Sequence, residues 1–297
     1  MKTTEMRRFL ICLILSMYGI TLAGQIDSYI GSYTGVNAEN YFTPLADVLV
    51  STFNAGNISQ TAVDSQLHFS IRLVGSSSFI LGDRLRYFTA TTGEDFTPEL
   101  RVRTSTFIGP PSSTNAEGVN GTVHTFPAGM GLSMLLFAIP QINISGIYNT
   151  EFSGRFLTGD TKGELGKITT WAAGLRHNIG QYFMPDNRWL ISAGYLYQSL
   201  QMGTYLDFKS HQGSLIAGQQ KSWWYYFGQV TAQFGQMNVN YEHYDGTTEQ
   251  LINIDLKNSN PILIGAGCGL QTGVFIAQLQ VLGPSPVITA LSIGLKF

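Results

Sequence analysis

The sequence of 297 residues is poor in several of the residues that protein chemistry commonly requires. Charged residues make up 12% of it, and its only two cysteines are Cys12 and Cys268. Since Cys12 lies in a segment that we expect to be removed on export, neither an intrachain disulfide nor a cysteine-based metal site is expected. No GxSxG, HExxH, P-loop or dinucleotide-binding pattern occurs. We therefore expect no catalytic residue, no metal, no cofactor and no enzymatic activity.

Long apolar runs are also absent, with one short exception near the start. Residues 9–20 are mostly apolar, follow three basic residues and precede small ones. This order predicts a secretory signal peptide over residues 1–24, cleaved after Ala23 or Gly24, because the run is too short for a transmembrane helix. The remaining chain has 14 Lys and Arg against 18 Asp and Glu. Such a mild balance predicts no nucleic-acid partner.

What the sequence has instead is an alternation of apolar and polar residues from about residue 64 onward. In the last segment, ITALSIGLKF, Leu291, Ile293, Leu295 and Phe297 share one face of an extended chain. A period of two predicts β-strands. In an exported chain with few charges, it predicts an all-β, antiparallel up-and-down transmembrane β-barrel whose apolar face meets lipid. A secreted β-sandwich would show the same alternation, but it would not require a terminal aromatic residue.

Phe297 indicates how such a barrel would be assembled and where. An aromatic residue after alternating apolar ones resembles the C-terminal signal that the barrel-assembly machinery of Gram-negative envelopes reads. We therefore expect Phe297 to be an assembly signal and the assembly machinery to be a partner during biogenesis. The expected location is the lipid bilayer of the outer membrane of a Gram-negative bacterium.

Counting backwards from the C-terminus, with short periplasmic turns and longer outer loops, gives about 12 strands over residues 61–297, within a range of about 10–14. The count uses Ile139-Pro140 and Gly235-Gln236 as turns and places LINIDL, residues 251–256, in an extended outer hairpin. It also puts the aromatic residues 223–226 at the outer boundary of the membrane. Phe183, Trp189 and Phe297 would then lie at the periplasmic boundary.

Residues 25–60 differ from the rest and are expected to form an N-terminal periplasmic or plug segment. Thr43 followed by Pro44 predicts the start of a short helix, and apolar residues at helical spacing continue it to Asn54. The helix has two alternative roles. It is either a structural lead-in packed against the end of the barrel or a plug in its lumen.

Three segments resemble a known family. They are YFTPLADVLVSTFNAG (41–56), IPQINISGIYNTEFSGRFL (139–157) and ITTWAAGLRHNIGQYFMPDNRW (168–189). They resemble, in this order, segments of an uncharacterised Bacteroidota outer-membrane β-barrel family that is known only as a domain of unknown function. Arg176 stands where lysine is common in that family. The resemblance implies the barrel fold and implies no activity, substrate or catalytic residue.

Polar residues on the faces opposite the apolar ones are the candidates for a functional site. If the apolar residues face lipid, these polar residues line the lumen. The lumen-lining candidates are Gln141, Asn143, Ser145, Asn149, Glu151, Arg155, Gln229, Gln233, Asn238, Asn240, Glu242, Gln278 and Gln280. The glycine-rich run GAGCG, residues 265–269, favours a tight bend or a close backbone approach over a phosphate cradle.

The lumen candidates favour a narrow channel or transporter for small solutes. The alternative is a structural or accessory outer-membrane barrel that binds an envelope partner and transports nothing. A small solute or an envelope protein is accordingly the expected partner.

Overall fold

The computed structural model describes residues 35–58, 63, 66–93, 96–160, 166–184, 189–244 and 249–297, without the side chains of 241–244 and 249–252. The predicted signal peptide lies outside the described residues. Within them, no helix is both long and apolar enough to cross a membrane.

The described chain has one long helix followed by strands. Helix α1 spans Gly35–Asn54, and the single-turn helix α2 spans Asp83–Arg86. Short 3-10 turns lie at Val119–Gly121 and Gly180–Tyr182. The strands are β1 (His68–Phe79), β2 (Tyr87–Thr91), β3 (Arg101–Ser105), β4 (Thr114–Glu117), β5 (Val123–Phe126), β6 (Met134–Ile147), β7 (Thr150–Asp160), β8 (Lys167–Asn178), β9 (Leu190–Met202), β10 (Leu206–Gln220), β11 (Trp224–Tyr244), β12 (Glu249–Lys257), β13 (Ile262–Thr272), β14 (Phe275–Gly283) and β15 (Val287–Lys296).

Ten of these strands close into an antiparallel barrel. The ring runs β1, β6, β7, β8, β9, β10, β11, β13, β14 and β15, and β15 pairs with β1. At the closing seam, the amide of Phe297 donates to the carbonyl of Phe69 at 2.7 Å, and the amide of Phe69 donates back at 3.0 Å. A closed ring satisfies the backbone groups of its strands without exposing an edge, so the predicted fold class is confirmed.

Strand β12 is the extra strand. β11 is 21 residues long, and its first half pairs with β13 while its second half pairs with β12. β12 and β13 therefore follow one another along the same side of β11, separated by residues 258–261. LINIDL belongs to this hairpin, as predicted, and it lies outside the ring of ten.

The predicted count of about 12 strands exceeds the ring of ten, and two of the turns that it used are strand interiors. Gly235-Gln236 lies within β11, and Ile139-Pro140 lies within β6. Pro140 is tolerated there because β7 pairs with β6 only from Gln141 onward. The preceding part of β6 pairs with β1 alone. The backbone N–H that Pro140 lacks would have no partner strand on the side of β7, so its absence costs little stability.

The two ends of the barrel differ. We call the end that holds the start of β1 and the end of β15 the terminal end, and its strands are joined by the short segments 148–149, 179–189, 221–223 and 273–274. At the opposite end, the far end, residues 80–133 form a long connection that contains α2 and the hairpins β2–β3 and β4–β5. Residues 203–205 and 284–286 are shorter connections at the same end.

The outer wall is mainly apolar, and many of its exposed aromatic residues lie at the terminal end. Ile142 and Leu291 are typical of the wall, at 46% and 51% exposed. Phe183, Trp189 and Phe297 lie at the terminal end, as predicted. Trp223 and Trp224 lie there too, so their predicted place at the outer boundary is wrong. The error follows from the misassigned turn at Gly235-Gln236, which reversed the direction assigned to the first half of β11.

A closed barrel of this kind should resist denaturation by detergent alone. We expect the purified protein to need detergent for solubility and to migrate faster on gels when unheated than when boiled, because the hydrogen-bonded ring stays compact until heat opens it. Electrophoresis of heated and unheated samples checks this. A protein that is soluble without detergent and shows one mobility would contradict it.

Candidate functional site: the plugged lumen

The lumen has an apolar half and a polar half. Towards the far end, the inward residues of the wall are apolar and form one cluster with helix α1: Val74, Phe137, Ile139, Leu200, Phe208 and Met237. Towards the terminal end, many inward residues are polar or charged and are buried: Arg72, Gln141, Asn143, Glu151, Arg155, Arg176, Gln278, Gln280 and Ser292. The same strands contribute to both halves, since the polarity changes along each strand.

Helix α1 fills the apolar half. Its residues Val48, Val50 and Phe53 are buried, and the ring of Phe53 lies 4.0 Å from that of Phe137. The start of the helix lies at the far end, where the Tyr41 hydroxyl donates to the carbonyl of Ala128 at 2.8 Å. The helix thus begins beneath the 80–133 segment and ends inside the barrel, and it occupies the lumen.

The helix is longer than its predicted span of 43–54. It extends back to Gly35 in the described residues, and Pro44 lies within it. The hydroxyl of Thr43 donates to the carbonyl of Glu39 at 2.7 Å, so this residue does not cap a helix start. Burial of Tyr41 and Phe42 stabilises the extra turns and outweighs the cost of an internal proline.

The end of the helix is capped by a side chain from the barrel wall. The last carbonyl groups of an α-helix have no partner within it and carry partial negative charge. The Arg155 guanidinium donates to the carbonyls of Phe53 at 2.8 Å and Ala55 at 3.0 Å. Its Nε donates to Gln141 at 2.8 Å, which fixes its orientation.

The residues after the helix are held in the same way. Gly56 has a left-handed φ of 68°, and its amide donates to the Gln280 side chain at 3.1 Å. A side chain at position 56 would collide with Val74, so glycine is required for both conformation and space. Arg72 donates to the carbonyl of Ile58 at 2.8 Å, and the Gln141 amide donates to that of Asn57 at 3.2 Å.

Further bonds join the body of the helix to the wall. The Gln233 amide donates to the Ser51 hydroxyl at 2.7 Å, and Ser210 donates to Asn54 at 2.9 Å. Thr52 donates to Ser78 at 2.6 Å. These contacts come from separate wall strands, so the helix is held around its circumference.

A buried carboxylate binds the helix to the break between β12 and β13. Asp47 accepts hydrogen bonds from the Ser259 amide and hydroxyl, both at 2.6 Å, and from the Asn260 amide at 3.2 Å. Burial raises the pKa of Asp47, while these hydrogen bonds and the charge of Arg84 lower it, and burial has the larger effect.

The remaining charged residues of the polar half form an ion pair. The Arg176 guanidinium lies 3.3 Å from the Glu151 carboxylate, and both side chains are buried. A small space beside the pair holds about one water molecule. It is lined by Asn57, Ile58, Glu151, Ser153, Leu175, Arg176, Gly194, Tyr195, Ser214 and Ile216.

The glycine-rich strand β13 makes room for aromatic rings. A side chain at Gly267 would collide with the ring of Phe227, and one at Gly269 with the ring of Tyr225. The hydroxyl of Tyr225 donates to Gln278 at 3.0 Å. The predicted close approach at GAGCG is thus the packing of two inward rings against the backbone of β13.

Most of the predicted lumen residues face inward, and three do not. Those buried within the barrel are Gln141, Asn143, Ser145, Glu151, Arg155, Gln229, Gln233, Gln278 and Gln280. Asn149 lies in the turn at the terminal end, where it bonds to Gln181. Asn238 and Asn240 lie on the outer face, where each bonds to Asn253 at 3.0 and 2.8 Å. They alternate with apolar residues as predicted, but the apolar residues face the lumen and the two asparagines face outward. The side chain of Glu242 lies outside the described residues.

Sequence reasoning missed two arginines of the site. Arg72 shares the polar face of LHFSIRL with His68 and Ser70, and this alternation could have identified it. Arg176 faces inward from β8 and meets Glu151 across the β7–β8 pair.

Replacing Arg155 should loosen the helix. Arg155→Gln removes the donors to Phe53 and Ala55, and leaving buried carbonyls unpaired should lower the free energy of unfolding by roughly 3 kcal/mol. Arg103→Gln is the matched control, because Arg103 forms an exposed pair with Asp83 and such pairs contribute about 0–1 kcal/mol. Denaturant unfolding in detergent micelles compares the two, and equal losses would argue against the cap.

Asp47 should make stability depend on pH. Because its pKa is raised in the folded protein, the folded state binds the proton more tightly than the unfolded one, and stability should rise as the pH falls through that raised pKa. Asp47→Asn should lack this increment. The difference in unfolding free energy between wild type and variant, followed from neutral pH downward, checks this, and a constant difference would contradict it.

Comparisons with known proteins identify the family. No curated protein matches the chain. Among solved structures, it is similar to Ail, the attachment invasion locus protein of Yersinia pestis, solved with the heparin analogue sucrose octasulfate, at 9% identity and a TM-score of 0.28, covering 78% of this chain and 99% of Ail. It is also similar to the Ralstonia pickettii toluene transporter TbuX, at 8% identity and a TM-score of 0.29, covering 88% of this chain and 99% of TbuX. The model of a family of unknown function, DUF6588, matches residues 1–297, and the chain belongs to that family.

Proposed function

We propose that the protein is an outer-membrane barrel that forms a narrow, gated channel for small solutes, with helix α1 as the gate. The observation that carries the proposal is the combination of a polar inner wall with a helix that is held in it only by non-covalent bonds. A barrel whose sole task was to be a stable wall could be filled by apolar side chains, which need no partners.

The apolar surface of the wall supports the proposed location. A closed ring with apolar residues outward is the arrangement that hydrocarbon requires of a β-sheet. If the termini face the periplasm, as in known outer-membrane barrels, the far end with its long 80–133 segment faces outward. Phe297, 62% exposed at the closing seam, supports the proposed role as the signal for the assembly machinery. In this proposal the protein is not an enzyme.

Passage of a solute requires the helix to move. Helix α1 is buried among the side chains of the wall, so the structure corresponds to a closed state. The groups that hold residues 51–58 are hydroxyls, amides and guanidinium groups, all of which water can satisfy when the helix leaves. The apolar face of the helix favours the closed state, and the polar half of the wall lowers the cost of an open one.

The alternative is an accessory barrel that binds an envelope partner. Its specific support is the dense bonding of the helix, which resembles a permanent filling, together with the 80–133 segment that covers the helix at the far end. A stable stoichiometric complex from native membranes would favour this alternative.

Locking the helix separates the two candidates. Thr52→Cys with Ser78→Cys, in a Cys268→Ser background, should form a disulfide between the helix and β1, because the two native hydroxyls are 2.6 Å apart. Planar-bilayer recordings should show discrete conductance with the pair reduced and none with it oxidised.

The matched control is Ser77→Cys with Thr289→Cys, whose native hydroxyls lie 2.7 Å apart between β1 and β15. That disulfide ties the wall to itself and leaves the helix free, so oxidation should not change conductance. If neither reduced protein conducts, the channel proposal is contradicted. It is also contradicted if oxidation of the pair at positions 52 and 78 leaves the conductance unchanged.

A further inference from the structure

We propose that Arg72 and Arg155 form an oxyanion-binding site in the lumen, which the carbonyl groups of Phe53, Ala55 and Ile58 occupy in the closed state. The ligand is a small organic anion that carries a carboxylate or phosphate group. The role of this site depends on the proposed channel, but anion binding can be tested whether or not the protein conducts.

The first observation is that neither buried cation bonds to an anion. Within the described part of the chain, Arg72 bonds to Ile58, Ser292 and Asn143, and Arg155 bonds to Phe53, Ala55 and Gln141. All of these acceptors are neutral, and Glu151 attracts Arg72 without bonding to it. Because a buried cation that lacks a bonded anion is costly, the site has unused affinity for negative charge.

The only carboxylate in the described polar half is already paired. Glu151 lies against Arg176, which is a third buried cation. Three guanidinium groups thus face one carboxylate, and Arg72 and Arg155 are close enough to repel one another. A wall with this excess raises the local concentration of anions.

The second observation concerns the shape of the occupied site. Arg155 presents two Nη donors to two carbonyl oxygens, at 2.8 and 3.0 Å. Two parallel N–H donors are the arrangement that binds a carboxylate or a phosphate in a bidentate way. The carbonyls of Phe53 and Ala55 therefore stand where two oxygens of an anion would bind once the helix leaves.

The third observation is a set of unused donors around the arginines. Arg72 Nε, Asn143 Nδ2 and Gln280 Nε2 are buried and have no hydrogen-bond partner in the described protein. Their residues lie on β1, β6 and β14 and are each at most 2% exposed. Since all three atoms are donors, the ligand that satisfies them is an acceptor, and an ionised oxyanion is acceptor-only.

Together these observations indicate that the carbonyl groups at the helix end occupy the binding site in place of the ligand. An anion that binds Arg72 and Arg155 competes with the carbonyls of the helix end and so favours the open state. Binding and opening are then coupled, because the ligand binds only the state from which the helix end has withdrawn.

The test measures this competition directly in the full-length protein. The rate of disulfide formation between positions 52 and 78, in the Thr52→Cys, Ser78→Cys, Cys268→Ser protein, reports how often the helix end is seated. Benzoate and phenyl phosphate should each slow it saturably. We expect at least about a fivefold effect, the low end of ordinary coupling between competing ligands. Benzamide, the neutral analogue of benzoate, should leave the rate unchanged.

The arginines are tested in the same background. Arg155→Lys keeps the charge but lacks the two parallel N–H donors of the guanidinium group, so it should weaken the effect of benzoate. Arg72→Gln with Arg155→Gln should abolish the effect. Arg101→Gln with Arg103→Gln, at exposed positions in the far-end segment, should keep it in full. If the double glutamine variant does not fold, the comparison of benzoate with benzamide on the intact arginines decides alone.

The outcomes separate this inference from the channel. An effect of benzoate alone identifies a carboxylate ligand, and an effect of phenyl phosphate alone identifies a phosphate ligand. No effect of either, or an equal effect of benzamide, overturns the site even if the protein conducts. An anion effect in a protein that never conducts would support the site and overturn the channel.

Discussion

The carbonyl groups at the end of an α-helix have no partner within the helix, and here the wall of a barrel supplies those partners. Arg155 donates to two of them, and Arg72 and Gln141 donate to the residues that follow. A helix end placed in a closed apolar barrel would leave these carbonyls unpaired at a cost of about 1–3 kcal/mol each. The position of the helix thus depends on the polarity of the inner wall.

Closure of the sheet is the condition for this arrangement. Because β15 pairs with β1, the ring encloses an interior in which side chains from several strands contact one helix. The change from apolar to polar along the strands then sets the depth of the helix, with Phe53 beside the rings of Phe137 and Phe208 and the Gly56 amide bonded to Gln280. Outside, the same strands present mainly apolar residues, so the wall suits lipid while its interior suits a polar segment.

Alternation alone was enough to predict the barrel, because a period of two shows that one face of each strand is apolar and the other is polar. It could not place the turns. Ile139-Pro140 and Gly235-Gln236 have the composition of turns, but pairing with neighbouring strands keeps both extended. The same limit affected the site. Asn238 and Asn240 alternate as lumen residues would, and only the register with β10 and β12 shows that they face outward. The position of helix α1 in the lumen depends on contacts between residues far apart in sequence, such as Arg155 and Phe53. Local sequence patterns do not reveal such contacts.

Chemical labelling of single cysteines tests the position of the helix most directly. In the Cys268→Ser protein, Val50→Cys should resist a maleimide until the barrel is unfolded by heat, because Val50 is fully buried in the lumen. Val36→Cys should react at once, because Val36 is 71% exposed at the start of the same helix. Rapid labelling at both positions in the folded barrel would show that the helix lies outside the lumen and would contradict the account.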